Sequence, residues 1–180
     1  MRTTLVIDDD RGRTLHFPLA PKRVVSLVPS DTLTLADLGH GHTLVGRTDY
    51  CELPESLVKG VPTVGGTKNP SVEAIVALEP DLVLANQEEN TKGDLEALIA
   101  RGIRVYIAFP RRVAAGVAHV AKIARIFGNE RDARTLSVIR GAYAALNEAE
   151  RVRKERVPLR TFCPIWMSPL MTIIRTLLAP

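Results

Sequence analysis

Cysteine is nearly absent from this chain of 180 residues, which has two, Cys51 and Cys163. They lie far apart and form neither a CxxC pair nor a Cys/His cluster, so no thiolate metal centre is expected. A long apolar run is missing too. The most hydrophobic stretch, Ile165 to Leu178, is interrupted by Pro169 and Arg175 and follows Pro164. It falls short of the ~20 apolar residues a membrane-spanning helix needs. Nor is charge of one sign concentrated. Lys and Arg number 24 against 20 Asp and Glu, a net charge of +4 with a pI near 9.3. The densest basic run, Arg151 to Arg156, falls at a predicted helix C-terminus, where cations suit the macrodipole. No nucleic-acid partner is expected from so dispersed a charge, although an acidic or phosphate-bearing partner stays open. The N-terminus, MRTTLVIDDDRGRTLHF, has no apolar h-region and turns acidic by Asp8, so no signal peptide is read. As written, the chain is expected to be cytoplasmic.

Catalytic patterns are equally scarce. Ser26 and Ser30 have no evident histidine partner, and no nucleophile, base and orienting acid can be assembled. An enzyme is not expected, nor a cofactor. VIDDD at Val6 to Asp10, with Asp49 downstream, superficially matches a phosphoacceptor receiver, but DDDRGRTLHF reads as a hairpin turn rather than a helix start. GVPTVGGTK, Gly60 to Lys68, has its lysine two places too late for a phosphate loop. His40 and His42 in GHGH make a poor metal site on their own, so none is assigned. His16 and His119 read as structural.

What is present is a repeating alternation. Short apolar runs at Arg23 to Val28, Thr43 to Val45, Val61 to Val64, Leu82 to Ala85 and Ile103 to Ala108 read as strands, each followed by turn residues. Segments of helical period lie between most of them. Val72, Ile75, Val76 and Leu78 share one helix face, with Asn69 as N-cap and Pro70 as first helical residue. Gly39, Gly102 and Gly128 stand where helices should stop. Strands alternating with helices predict an α/β lobe with a parallel sheet flanked by helices and right-handed crossovers. Thr3 to Ile7 and Thr14 to Phe17 predict an N-terminal hairpin packed on it.

Beyond Gly128 the pattern changes. Asn129 as cap, Glu130 and Asp132 near the N-terminus, and a stripe of Leu136, Ile139, Tyr143 and Leu146 predict one long helix reaching Lys154. At 1.5 Å per residue it would span ~36 Å. After Pro158 a new strand begins in LRTFCPIW. The expected organisation is an α/β ligand-binding lobe over residues 1–128, a linking helix over 129–157, and the start of a further lobe over 158–180. The apolar tail offers an association patch and hence a possible homodimer.

Four segments together carry a family resemblance: RVVSLVPS, VGRTDYCELP, VPTVGG with PSVEAIVALEPDLVLA, and FCPIWMSPLMTI. From about Asp8 to Ile173 the chain resembles the first lobe and linking helix of the cobalamin and iron-chelate solute-binding proteins of ABC importers, the vitamin B12-binding type above all. The resemblance implies a ligand rim of Pro29, Ser30, Asp31 and the aromatic Tyr50, joined by Thr67, Lys68, Asn86 and Phe109. Vitamin-binding members tend to carry tryptophan where this chain has Thr67 and Asn86, so stacking is reduced here. Glu88 and Glu89 give the rim an acidic, hydrogen-bonding character instead. Glu73 matches the carboxylate that docks on the ABC permease. A complete member would continue for more than a hundred residues past MTI, so most of the second lobe is expected to be missing.

The function implied is binding of a corrinoid or metal chelate, such as cobalamin or an iron-siderophore or haem complex, and its presentation to a permease. That role would place the protein in the periplasm or otherwise outside the cytoplasm. The alternative is a non-transporting intracellular interaction module, dimeric through its tail.

Overall fold

The computed structural model describes residues 4–157, 164–167 and 170–172. Four parallel strands form the centre of the first compact unit, Met1–Leu146: β3 (Val24–Ser26), β4 (Leu44–Arg47), β5 (Leu82–Asn86) and β6 (Val105–Ala108), in the order β4-β3-β5-β6. Every residue of β3 and β6 is buried, as strands covered on both faces must be. A hairpin of β1 (Leu5–Asp8) and β2 (Thr14–Phe17) is tied to β6 where the Asp10 amide donates to the Ile107 carbonyl at 3.0 Å.

Two apolar layers sandwich the sheet. On one face lie α1 (Pro29–Asp37), α5 (Val113–Phe127) and the hairpin, sharing a core of Ile7, Phe17, Leu35, Tyr106, Ile123 and Phe127. On the other lie α3 (Val72–Ala77) and α4 (Lys92–Ala100), with Leu27, Ile75, Val83, Leu95, Leu98 and Ile107 buried between them and the sheet. A short α2 (Glu55–Val58) follows β4.

Several expectations are corrected. Val61 to Val64 forms no strand of its own. It runs beside β4 through one parallel bridge, Arg47 to Thr63, with the Arg47 amide donating to Pro62 at 3.1 Å and the Val64 amide to Arg47 at 2.8 Å. Pro62 has no N–H to extend the ladder, and Gly65, at φ +98°, turns the chain away. The cap of α3 is Ser71, whose hydroxyl accepts from the Ala74 amide at 3.2 Å, and not Asn69. Pro70 is held earlier, in an antiparallel bridge to Gly65.

Gly128 does end α5, with φ at +73°. Asn129 does not cap the next helix, α6 (Ala133–Lys154, 22 residues, about 33 Å long). Its side chain is buried, and Nδ2 donates to the Leu38 carbonyl at 3.1 Å and to Thr135 Oγ1 at 2.9 Å. With Arg134 donating to the carbonyls of Asp37 and Ala36, it fastens the first turn of α6 to the end of α1. The predicted stripe on α6 is only half covered. Leu136, Ile139 and Leu146 are half-buried, and Tyr143 is 41% exposed.

The second unit, Asn147–Pro180, holds the rest of α6 and an antiparallel pair, β7 (Pro164–Met167) with β8 (Leu170–Thr172). Residues 158–163 and the end of the apolar tail invoked for dimerisation lie outside the described residues. Among the described residues no helix is long and apolar enough to cross a membrane.

Candidate functional site

The chain runs from β3 outward to β4, then returns past β3 to β5 and on to β6. Connections therefore leave β3 and β5 in opposite directions, and the crevice at their carboxyl ends is the switch point where open α/β sheets hold ligands. The loops that follow all four strands gather at that end.

Asn90 spans the switch point. It is 4% exposed, and its Nδ2 donates to the Leu27 carbonyl after β3 at 3.3 Å and to the Thr67 carbonyl at 2.9 Å. Its Oδ1 accepts from the Asn86 amide at 2.8 Å. One buried side chain thus joins three loops. Sequence reasoning passed over it, since an asparagine behind two glutamates reads as ordinary turn chemistry.

Further bonds connect each loop to its neighbour. The Asp49 amide donates to Gly65 at 2.9 Å, the Lys68 ammonium to the Glu88 carbonyl, and the Gln87 amide to Ala108 at 2.9 Å. Asn86 Oδ1 accepts from Glu88 N at 2.8 Å, closing the turn after β5. The Tyr50 loop is fixed from below. Arg47 Nη1 donates to the carbonyls of Thr48 and Cys51 at 3.1 and 3.2 Å, and Thr48 Oγ1 lies 3.1 Å from the buried Cys51 Sγ. Tyr50 itself is 64% exposed, with its ring passing over Gly66, where an added Cβ would lie 3.5 Å from Tyr50 Cε2. A large ring held out on a rigid loop is a ready stacking surface.

Phe109 is set by the hairpin. Its amide donates to Asp10 Oδ2 at 2.7 Å while Lys122 Nζ donates to Asp10 Oδ1 at 2.8 Å. Burial works to raise the Asp10 carboxyl, but the hydrogen bonds from Lys122 and Phe109 and the Lys122 charge outweigh it and hold it below its usual value.

Tyr50, Thr67, Lys68 and Phe109 therefore lie on loops at one end of the sheet, with Ser30 in the first turn of α1 and Asn86 the last residue of β5. One residue expected among them, Asp31, points elsewhere, and Glu73, expected as the docking carboxylate, stands apart from them on α3. Asp31 is 2% exposed and turned inward, accepting from His119 Nε2 at 2.7 Å. Glu73 stands exposed on the first turn of α3, 3.4 Å from Arg101 just past α4. At the opposite edge, His40 stacks on Phe127 with centroids 4.2 Å apart, beside a cavity of about 460 Å³ that His42 also lines. Burial holds the His40 imidazole below its ordinary pKa. Among the described residues no three His, Cys, Asp or Glu side chains gather as metal ligands.

Residues 24–159 match the family described as periplasmic binding protein, a match that takes in the parallel sheet, its flanking helices and α6 and leaves out the hairpin. The chain belongs to the periplasmic binding protein family. A vitamin B12-binding protein of Yersinia pestis (strain Pestoides F) is 30% identical over 153 residues, covering 85% of this chain and 54% of that relative. The same identity and coverage hold for the vitamin B12-binding protein of Yersinia pseudotuberculosis serotype O:3 (strain YPIII). The chain spans about half the length of these curated relatives. Among solved structures, the fold is similar to the periplasmic vitamin B12 binding protein BtuF of Vibrio cholerae, with TM-score 0.78 at 21% identity, covering 86% of this chain and 60% of that one. It is also similar to a periplasmic haem-binding protein from Pseudomonas aeruginosa, with TM-score 0.60 at 27% identity over 74% and 45% of the two chains.

Proposed function

We propose that this chain is the lobe of a solute-binding component of an ABC importer and holds a corrinoid or a metal chelate, such as cobalamin or an iron-siderophore or haem complex, at the rim of Ser30, Tyr50, Thr67, Lys68, Asn86 and Phe109. The observation that carries the reading is Asn90 locking three rim loops together beside an outward Tyr50 ring. Preorganised loops lower the ordering cost of binding, and a flat apolar macrocycle gains most from a fixed aromatic surface.

The side chain of Asn86 is engaged with its own turn, and the Thr67 carbonyl with Asn90. Stacking then falls to Tyr50 and Phe109, and polar contacts to Ser30, Lys68, Glu88 and Glu89. This favours a chelate with a hydrogen-bonding periphery. Glu73 is the candidate permease contact, its carboxylate exposed and only loosely paired with Arg101. The working location in this reading is outside the cytoplasmic membrane, and the protein's task is binding, not turnover.

The test is equilibrium titration of the purified protein with cyanocobalamin, haemin and a ferric hydroxamate. Saturable binding of one of them, weakened at least tenfold by Tyr50→Ala, supports the reading. Failure to bind any of the three would point to a non-transporting interaction module.

A further inference from the structure

Beneath the rim, the start of α1 and the middle of α5 meet through a buried polar pair. Asp31 is 2% exposed and His119 9%, and His119 Nε2 donates to Asp31 Oδ1 at 2.7 Å. The imidazole lies parallel to the fully buried Tyr106 ring of β6, centroids 5.8 Å apart and planes 8° apart. Asp31 Oδ2, His119 Nδ1 and Tyr106 Oη are all buried without a hydrogen-bond partner among the described residues.

Such an arrangement is a poor way to gain stability. Desolvating a carboxylate and an imidazole offsets much of their attraction, and each orphaned polar atom adds its own penalty. Apolar side chains of similar volume would serve a core better, so the pair calls for another account.

Its place in the fold supplies one. Asp31 directly follows Ser30, and α1 has no side-chain N-cap to fix its first turn. The hydrogen bond from His119 ties this turn to α5. One turn further along α5, Lys122 holds Asp10, and Asp10 holds the Phe109 amide. Both ends of the rim therefore hang on a single helix, Ser30 through Asp31 and His119, Phe109 through Asp10 and Lys122.

We propose that Asp31 and His119 are positioning residues, which do not touch ligand but clamp α1 to α5 and so fix Ser30 relative to Phe109 across the rim. This rests on the rim being the ligand site, as argued above. Geometry, not charge, is what the clamp supplies, and an acceptor of the same shape should replace the carboxylate.

The experiment compares the wild-type chain with Asp31→Asn, which can still accept from Nε2–H, and Asp31→Ala, which cannot. Should Asp31→Ala not fold, Asp31→Leu fills the volume without the acceptor and takes its place. Amide hydrogen exchange is read at Thr32 to Leu35 and at Phe109, with β5 as the internal reference, and affinity is read with cyanocobalamin and haemin as probes. The expected result is exchange at least tenfold faster at Thr32 to Leu35 in Asp31→Ala, with Phe109, which hangs on Asp10 and Lys122, and β5 unchanged, and Asp31→Asn within threefold of wild type. For whichever probe the wild type binds, affinity should fall at least tenfold in Asp31→Ala and return in Asp31→Asn. Exchange that rises equally throughout the lobe, or an Asn variant no better than Ala, overturns the clamp. A wild-type chain that binds neither probe overturns the ligand reading instead, and the exchange comparison then decides the clamp by itself.

Discussion

Replacing Asn90 should damage the lobe in a way that depends on which atom is lost. In Asn90→Ala three hydrogen bonds disappear, those to the Leu27 and Thr67 carbonyls and from the Asn86 amide. Each is worth about 1 kcal/mol net, and a buried group left unpaired adds to the loss, so the total should be roughly 3 kcal/mol. Against a typical stability of about 5–15 kcal/mol that is a large fraction. Asn90→Asp keeps the acceptor for Asn86 but turns the donor into a second oxygen facing two carbonyls. It also buries an unpaired charge at a position 4% exposed, so its cost at neutral pH should exceed that of alanine, at about 4 kcal/mol or more. Urea unfolding measures both. With a slope of about 2 kcal/mol per M, the alanine midpoint should fall by roughly 1.5 M and the aspartate midpoint further, with the slope unchanged. An aspartate variant as stable as alanine, or both variants within about 0.5 kcal/mol of wild type, would refute the idea that the amide bridges the loops.

Asp10 is held below its usual pKa in the folded chain, so its contribution is present above the unfolded carboxylate value of 3.8 and is lost as pH falls through the lower folded one. The stability gap between wild type and Asp10→Ala, followed by urea unfolding against pH, should therefore be widest near neutrality and shrink in acid. A gap that grows on acidification contradicts the Lys122 and Phe109 assignments. Gly46→Ala would put its Cβ 2.5 Å from Leu78 Cδ1 and 3.1 Å from Val25 Cγ2. Thermal unfolding should show a loss of about 1–3 kcal/mol from overpacking, and an unchanged midpoint would mean the neighbours yield freely. Tyr50→Ala, at a side chain 64% exposed, should alter stability by no more than about 0.5 kcal/mol. It should nonetheless lower ligand affinity about tenfold or more, as the loss of one aromatic platform worth about 1.5 kcal/mol implies.

Much of the sheet could be read from the chain because parallel strands buried on both faces are short apolar runs, and VVS, LVLA and VYIA are little else. Val61 to Val64 looked the same and was not a strand, since Pro62 cannot donate and Gly65 turns the backbone, facts that act through pairing and not through composition. Ser71 took the cap expected of Asn69 because Pro70 is engaged by Gly65 two residues earlier than the helix can start. Long-range bonds were the least visible. Asn90 and Asn129 each reach carbonyls more than sixty residues away in sequence, and nothing local to either distinguishes them from loop polar residues. Asp31 was placed at the rim through resemblance, yet its side chain turns into the lobe to meet His119, 88 residues on. Tyr50 and Phe109 lie on the loops that follow β4 and β6, positions that strand ends in the sequence locate without any long-range contact.

The most direct test of the account is mapping where ligand touches the chain, by backbone amide shifts of the labelled protein titrated with cyanocobalamin and, separately, with a diamagnetic gallium analogue of a ferric chelate. The account predicts saturable shifts concentrated at Ser30, Tyr50, Thr67, Lys68, Asn86 and Phe109, with the opposite edge around His40 and Phe127 silent. Shifts centred on His40 and Phe127, or none with either ligand, would contradict it.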